Sequence, residues 1–167
     1  RIIEKNNTFF TCFDIIKNIE KKVLKKVLIP LIGSHNISNT LAAYSICKGL
    51  KINDSVIKNA LRTFQGVKRR FSIIHNSPEI MIIDDYAQHP KEIKMTLNAL
   101  KQITKNKIIT IFEPHRFSRI NELKEDFINS FEDADVIFIL PIYTAGEEPV
   151  KKIDNFELSK LLKKKYK

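Results

Sequence analysis

Arg116 and Arg119 stand three residues apart just after Glu113-Pro114-His115. At that spacing on a helix they face one side, and planar guanidinium forks hold phosphate or carboxylate oxygens in pairs. At a helix start the helix dipole adds its own attraction for an anion, so phosphate binding is the natural chemistry. A pair of solvated surface arginines is the plainer alternative. Lys68-Arg69-Arg70, directly after Gly66 and Val67, offers the same forks in what reads as a hinge or a solvated linker.

The string Asp84-Asp85-Tyr86-Ala87-Gln88-His89-Pro90 carries paired carboxylates, suited to ribose hydroxyls or to placing a metal ion. Mg²⁺ takes few protein carboxylates and keeps water and phosphate as its other ligands. His89 could equally cap a helix that starts at Pro90, and Asp84 could satisfy backbone donors. In Gly33-Ser34-His35-Asn36-Ile37-Ser38-Asn39, the amides of Asn36 and Asn39 each offer a donor and an acceptor, which matches the edge of an adenine ring. The simpler reading is a helix cap at Ser38 or Asn36. In Tyr143-Thr144-Ala145-Gly146-Glu147, the glycine permits a tight turn and Glu147 could answer an arginine or a substrate amine.

These groups need elements to hold them. β-Branched and aromatic runs predict strands over residues 8–16 and 23–32, and apolar spacing predicts helices over 38–50 and 54–64, the second capped by Asn53 or Asp54. After Gly66 the pattern predicts strands over 71–75 and 80–83 around Asn76-Ser77-Pro78. It then predicts a helix over 90–103, a strand over 107–112, a helix over 118–131 and a strand over 136–140. Pro90 suits a first helical turn, where its missing N–H would have no partner anyway. Strand and helix alternating with short connections predict an α/β fold with an open, mostly parallel sheet, whose ligands lie beyond the strand ends. The Asp84 and Glu113 strings both fall at such ends. A domain boundary is expected near residue 70, dividing the chain into 1–70 and 71–167.

Composition narrows the function classes. The chain has 167 residues with 29 basic against 19 acidic side chains, a net charge of +10, which favours anionic partners. Lys21, Lys22, Lys25, Lys26 and Lys163 to Lys165 read as solvated faces. A basic nucleic-acid module is the rival this charge suggests, but no aromatic-basic nucleic-acid motif supports it. The longest apolar stretch, Val136 to Tyr143, is broken by Pro141 and is too short to span a bilayer. Residues 1–30 alternate lysine with short apolar runs, so no signal peptide is expected, and the opening Arg1 suggests an incomplete gene product. Cys12 and Cys47 stand alone in no metal-ligand spacing, which favours a reducing, cytoplasmic setting and leaves no metal site to assign.

Taken in order, the strings resemble those of the Mur ligases, over roughly residues 30–150. The resemblance rests on Gly33 to Asn39, Gly66 to Phe71, Asp84 to Ile93, Pro114 to Arg119 and Tyr143 to Glu147. It implies the end of a P-loop-type ATPase domain over 1–70, followed by a Rossmann-like C-terminal domain over 71–167. It also implies ATP and Mg²⁺, with UDP-N-acetylmuramate and L-alanine as substrates of a peptidoglycan ligase working through an acyl phosphate. A sister ligase adding another amino acid or peptide is the alternative. By resemblance, Asn36 and Asn39 would contact adenine, and Arg69 or Arg70 the nucleotide. Asp85 would lie near the ribose, with Tyr86 and His89 on the nucleotide as well. His115, Arg116 and Arg119 would face the nucleotide-sugar. Three departures stand out, one being that the family would continue past Lys167 with further strands. No G-x-x-G-K-[ST] string occurs, so phosphate-loop and metal ligands would lie upstream, and Gln88 replaces the first of two histidines in the family string.

Overall fold

The computed structural model describes residues 1–5, 8–17, 22–148 and 154–166, with the backbone alone for Lys22. Contacts divide the chain into two compact units, Arg1–Tyr86 and Ala87–Lys167.

The first unit opens with an antiparallel meander of β1 (Ile2–Lys5), β2 (Thr8–Lys17) and β3 (Lys22–Ile29), in that spatial order. Alternation puts Phe9, Thr11 and Ile15 of β2, and Val27 and Ile29 of β3, on a buried face. The β2–β3 register shifts between Phe13 and Ile15. Near that shift Lys26, at φ 54, gives its N–H to Asp14 Oδ1 at 2.7 Å. Ile15 and Val27 form one core with Tyr44 of α1 (Ser34–Gly49) and Ile57 of α2 (Asp54–Thr63). Asn53 caps α2, accepting the Ser55 N–H, as expected. A hairpin of β4 (Ser72–Asn76) and β5 (Met81–Asp84) follows, antiparallel, its turn closed by Ser77 N–H to the Ile80 carbonyl at 2.9 Å.

The second unit contains α3 (Pro90–Lys101), β6 (Ile109–Phe112), α4 (Phe117–Glu122), α5 (Lys124–Ile128), β7 (Val136–Ile139) and α6 (Asn155–Lys165). β6 and β7 pair in parallel from Ile109 opposite Val136 to Phe112 opposite Ile139. On one side, Ile93 and Leu97 of α3, Ile120, Phe127, Phe131, and Leu158 and Leu162 of α6 close around Phe112. The Phe112 ring lies 5.8 Å from Phe127 and 5.5 Å from Phe131, an edge contact with the latter.

The α/β class holds, with local corrections. Helix α1 begins at Ser34 rather than Ser38, because Gly33 at φ 101 lets the chain turn and Asn36 N–H already reaches the Gly33 carbonyl. Neither Asn36 nor Ser38 is therefore its cap. The single helix expected over 118–131 is two helices broken at Leu123. Hydrophobic spacing reports which side chains point inward, not whether the backbone bonds run unbroken. The parallel pairing lies in β6–β7, whereas β4–β5 is a hairpin. Two elements had no forecast: β1, a four-residue edge strand, and α6, whose core contact rests on two leucines in a lysine-rich run. Lys25, Lys26 and Lys163 to Lys165 are exposed as expected, while Lys21 and the Lys22 side chain lie outside the described residues. No described helix is long and apolar enough to cross a membrane.

Candidate functional site

In the first unit the arginine string is bound to the aspartate string. The Arg69 Nε lies 3.5 Å from Asp84 Oδ2, and its guanidinium stands 4.8 Å from the Tyr86 ring centroid. Tyr86 N–H returns to the Arg69 carbonyl at 2.8 Å, and Phe71 N–H meets Asp85 Oδ2 at 2.7 Å. These bonds hold a turn in which Arg69 (φ 58) and Phe71 (φ 50) both adopt the left-handed region that non-glycine residues avoid. Gly66, at φ 79, precedes it where a Cβ would lie 3.0 Å from Leu31 Cδ2. The guanidiniums of Arg69 and Arg70 both reach solvent.

The asparagine string comes to the same place. The charges of Asp85 and Arg70 both act on His35, so the asparagine string lies within electrostatic reach of the other two. Burial lowers the His35 pKa most; Asp85 opposes this and Arg70 adds to it, so the ring is neutral near pH 7. Its Nδ1 is buried with no hydrogen-bond partner among the described residues. Asn36 spends an amide N–H on the Ile32 carbonyl at 2.8 Å, and Asn39 is exposed one turn along the same helix. Among the described residues no three His, Cys, Asp or Glu side chains converge as a metal site, and Asp84 and Asp85 are each engaged as above.

In the second unit the strings extend the parallel pair beyond its strands. Tyr143 N–H meets the Pro114 carbonyl and Arg116 N–H the Tyr143 carbonyl, both at 2.8 Å, with the His115 and Tyr143 rings 4.9 Å apart. His115 has its pKa lowered, first by burial, then by Arg119 and Arg116, with Glu113 and Glu147 opposing. It too is neutral near pH 7, with Nδ1 buried and unpartnered among the described residues. Arg116, at φ 70, precedes α4 and makes no side-chain cap. Glu147 takes that task, accepting Ser118 N–H at 3.0 Å and Ser118 Oγ–H at 2.7 Å, which lowers its pKa. Arg119, half-buried, donates from Nη1 to Gln88 Oε1 at 3.0 Å. Glu92 Oε2 accepts the N–H groups of Gln88 and His89 at 3.1 Å each, and His89 Nδ1 accepts Lys91 N–H at 3.2 Å.

His89 thus serves as the cap of α3, the plainer of its two expected roles. Sequence reasoning missed His35, Glu92 and the Gln88–Arg119 bond. The signal for Glu92 was present: Glu at the third helical position after a capping residue makes a reciprocal box.

The family model described as Mur ligase, glutamate ligase domain, matches residues 69–166, taking in the Arg69 turn and residues 87–166 of the second unit. The chain belongs to the Mur ligase family. Its Mur ligase relatives include the UDP-N-acetylmuramate–L-alanine ligase of Allorhizobium ampelinum, 45% identical over 131 residues, covering 78% of this chain and 28% of that protein. The ligase of the same name from Rickettsia felis is 41% identical over 165 residues, covering 96% of this chain and 34% of that protein. Among solved Mur ligase structures, the UDP-N-acetylmuramate–alanine ligase of Thermotoga maritima superposes with a TM-score of 0.72 at 30% identity. That match covers 89% of this chain and 31% of the other. The chain thus spans 28% to 34% of the length of these curated relatives.

Proposed function

We propose that the protein carrying this Mur ligase segment joins L-alanine to UDP-N-acetylmuramate with ATP, as a step of peptidoglycan synthesis in the cytoplasm. The observation that supports the reading is the 41–45% identity to ligases of that name across most of the chain. The muramoyl carboxylate attacks the γ-phosphorus of ATP, giving an acyl phosphate and ADP. The alanine nitrogen then attacks the acyl carbon, phosphate leaves, and the ammonium loses its proton as the amide forms. Residues 1–70 would be the closing part of an ATP-binding domain and 71–167 belong to the C-terminal domain.

Within this reading Asn36 and Asn39 meet adenine, and Arg69 or Arg70 the nucleotide phosphates. Asp85 lies toward the ribose, and Tyr86 and His89 meet the nucleotide. Arg116 and Arg119 face the anionic nucleotide-sugar, beside a neutral His115 that can accept or donate a hydrogen bond without adding charge. Catalysis would be positioning and charge stabilisation rather than covalent chemistry by the protein. Mg²⁺ accompanies ATP in the proposal, with no ligand assigned to this chain, and no nucleic-acid partner is involved.

The test is phosphate release from ATP by the whole protein, with each substrate omitted in turn. Release that requires both UDP-N-acetylmuramate and L-alanine supports the proposal. Release with a peptide in place of L-alanine, and none with L-alanine, overturns it in favour of a sister ligase.

A further inference from the structure

In this fold the side chain of Gln88 bonds Arg119, its Oε1 accepting from Nη1 at 3.0 Å. Both ends of that bond are anchored. The backbone N–H groups of Gln88 and His89 are held by Glu92 Oε2, which fixes the start of α3. The start of α4, which carries Arg119, is fixed by Glu147 through Ser118. We infer that Gln88 is the positioning residue for Arg119, its amide carbonyl orienting the guanidinium without neutralising it and without titrating. The inference rests on the proposed role of Arg119 in facing an anionic substrate.

The chemistry of the acceptor is what matters. A carboxylate at this position would orient the arginine but cancel its charge, whereas an amide oxygen leaves that charge for a phosphate or carboxylate. A histidine accepts through a ring nitrogen only while neutral, and once protonated it repels the arginine it should hold. The surrounding groups set the field. Arg116 and Arg119 are the cations that lower the His115 pKa, while Glu113 and Glu147 oppose them. Glu92 spends Oε2 on two backbone N–H groups and His89 spends Nδ1 on Lys91 N–H. Gln88 therefore supplies orientation that the charged and titratable neighbours cannot supply across a pH range.

Three variants of the full chain test this, read by the Arg119 side-chain N–H resonances in ¹⁵N-detected NMR. In the unaltered chain the bonded resonance should stay apart from the free-arginine envelope at both about pH 8 and about pH 5.5. Gln88→Leu should lose it at both, and Gln88→His should keep it near pH 8 and lose it only as pH falls through the imidazole's pKa, which the Arg119 charge holds below the ordinary value of about 6.5. In the whole protein near pH 8, Gln88→Leu should raise KM for UDP-N-acetylmuramate about tenfold with kcat little changed. Gln88→His should change turnover there less than about tenfold, having kept its neutral acceptor. Gln88→Glu should retain the bonded resonance yet still raise KM, separating orientation from charge. An Arg119 resonance untouched by Gln88→Leu, or a KM unmoved when it is lost, overturns the inference. If the unaltered protein makes no amide from these substrates while the resonances behave as stated, the substrate reading fails and the positioning of Arg119 by Gln88 stands.

Discussion

Asp85 Oδ2 accepts the backbone N–H of Phe71 at 2.7 Å, and Phe71 holds φ 50. A carboxylate thus closes a turn that a bulky residue would not adopt by itself. The same turn sets the direction in which Arg69 and Arg70 leave the backbone. Asp85 therefore acts on the arginines through the main chain, in addition to the ribose-side role proposed for it.

Replacing Asp85 with alanine leaves a half-buried N–H without this acceptor. A loss of about 1–3 kcal/mol in unfolding free energy is expected. Denaturant unfolding of Asp85→Ala and Asp85→Asn measures it; the asparagine, whose amide oxygen can still accept, should lose less. Equal stability of Asp85→Ala and the unaltered chain would contradict a closing role.

His35 and His115 should both titrate below their ordinary value of 6.5. Burial is the main cause in each, joined by Arg70 at His35 and by Arg119 and Arg116 at His115. With the folded pKa lowered, the unfolded chain binds more protons below pH 6.5. Stability is therefore unaffected above that value and falls as pH drops from it through the folded pKa. NMR titration of the imidazole signals reads both values, and a midpoint at or above 6.5 for His115 would refute the burial argument.

Glu147 has its pKa lowered from 4.5 by the backbone and hydroxyl donors of Ser118. Its stabilising effect on α4 is thus present above about pH 4.5 and lost as pH falls through the folded value. Glu147→Gln should speed amide hydrogen exchange in residues 117–122 at neutral pH and flatten its acid dependence. Exchange in α4 that is the same with and without the carboxylate would show that the helix start is held by something else.

Phe127 is fully buried against Phe112 in the core that carries β6. Phe127→Ala should cost about 3–5 kcal/mol, as cavity-forming truncations of buried aromatics do. The loss should appear in the unfolding of the second unit, read by exchange protection in α3 and β6. A loss under about 1 kcal/mol would mean the site collapses around the gap.

Much of this was legible in the sequence because local chemistry and burial agreed there. Asn53 caps α2, Pro90 opens α3, and the alternation of Phe9, Thr11 and Ile15 faces the core as the strand pattern requires. The Asp84 and Glu113 strings were expected at strand ends, and the fold puts Asp84 at the end of β5 and Glu113 directly after β6. What stayed hidden depends on contacts distant in sequence. Glu147 capping α4 joins residues 29 apart, and Arg119 bonding Gln88 joins residues 31 apart, so no local rule reports either. The start of α1 was missed because the cap signals of Asn36 and Ser38 outweighed a glycine that turns the chain before them. His35 passed unnoticed because nothing in the string Gly33-Ser34-His35-Asn36 announces that its Nδ1 is buried.

Asn36 and Asn39 should each matter to nucleotide affinity more than to turnover. In the whole protein, Asn39→Ala is the cleaner probe, being exposed and free of the Ile32 bond that Asn36 makes. KM for ATP should rise roughly tenfold with kcat within about threefold, the pattern of lost uniform binding. An unchanged KM for ATP would remove Asn39 from the adenine site.

The most direct test of the ligase reading follows an oxygen atom. UDP-N-acetylmuramate labelled with oxygen-18 in its carboxylate is given to the whole protein with ATP and L-alanine, and both products are weighed by mass spectrometry. Passage through an acyl phosphate predicts the alanyl amide together with inorganic phosphate carrying label from the carboxylate. Amide formation with unlabelled phosphate would contradict the acyl phosphate, and labelled phosphate or amide appearing only with a different amine would contradict L-alanine as the substrate.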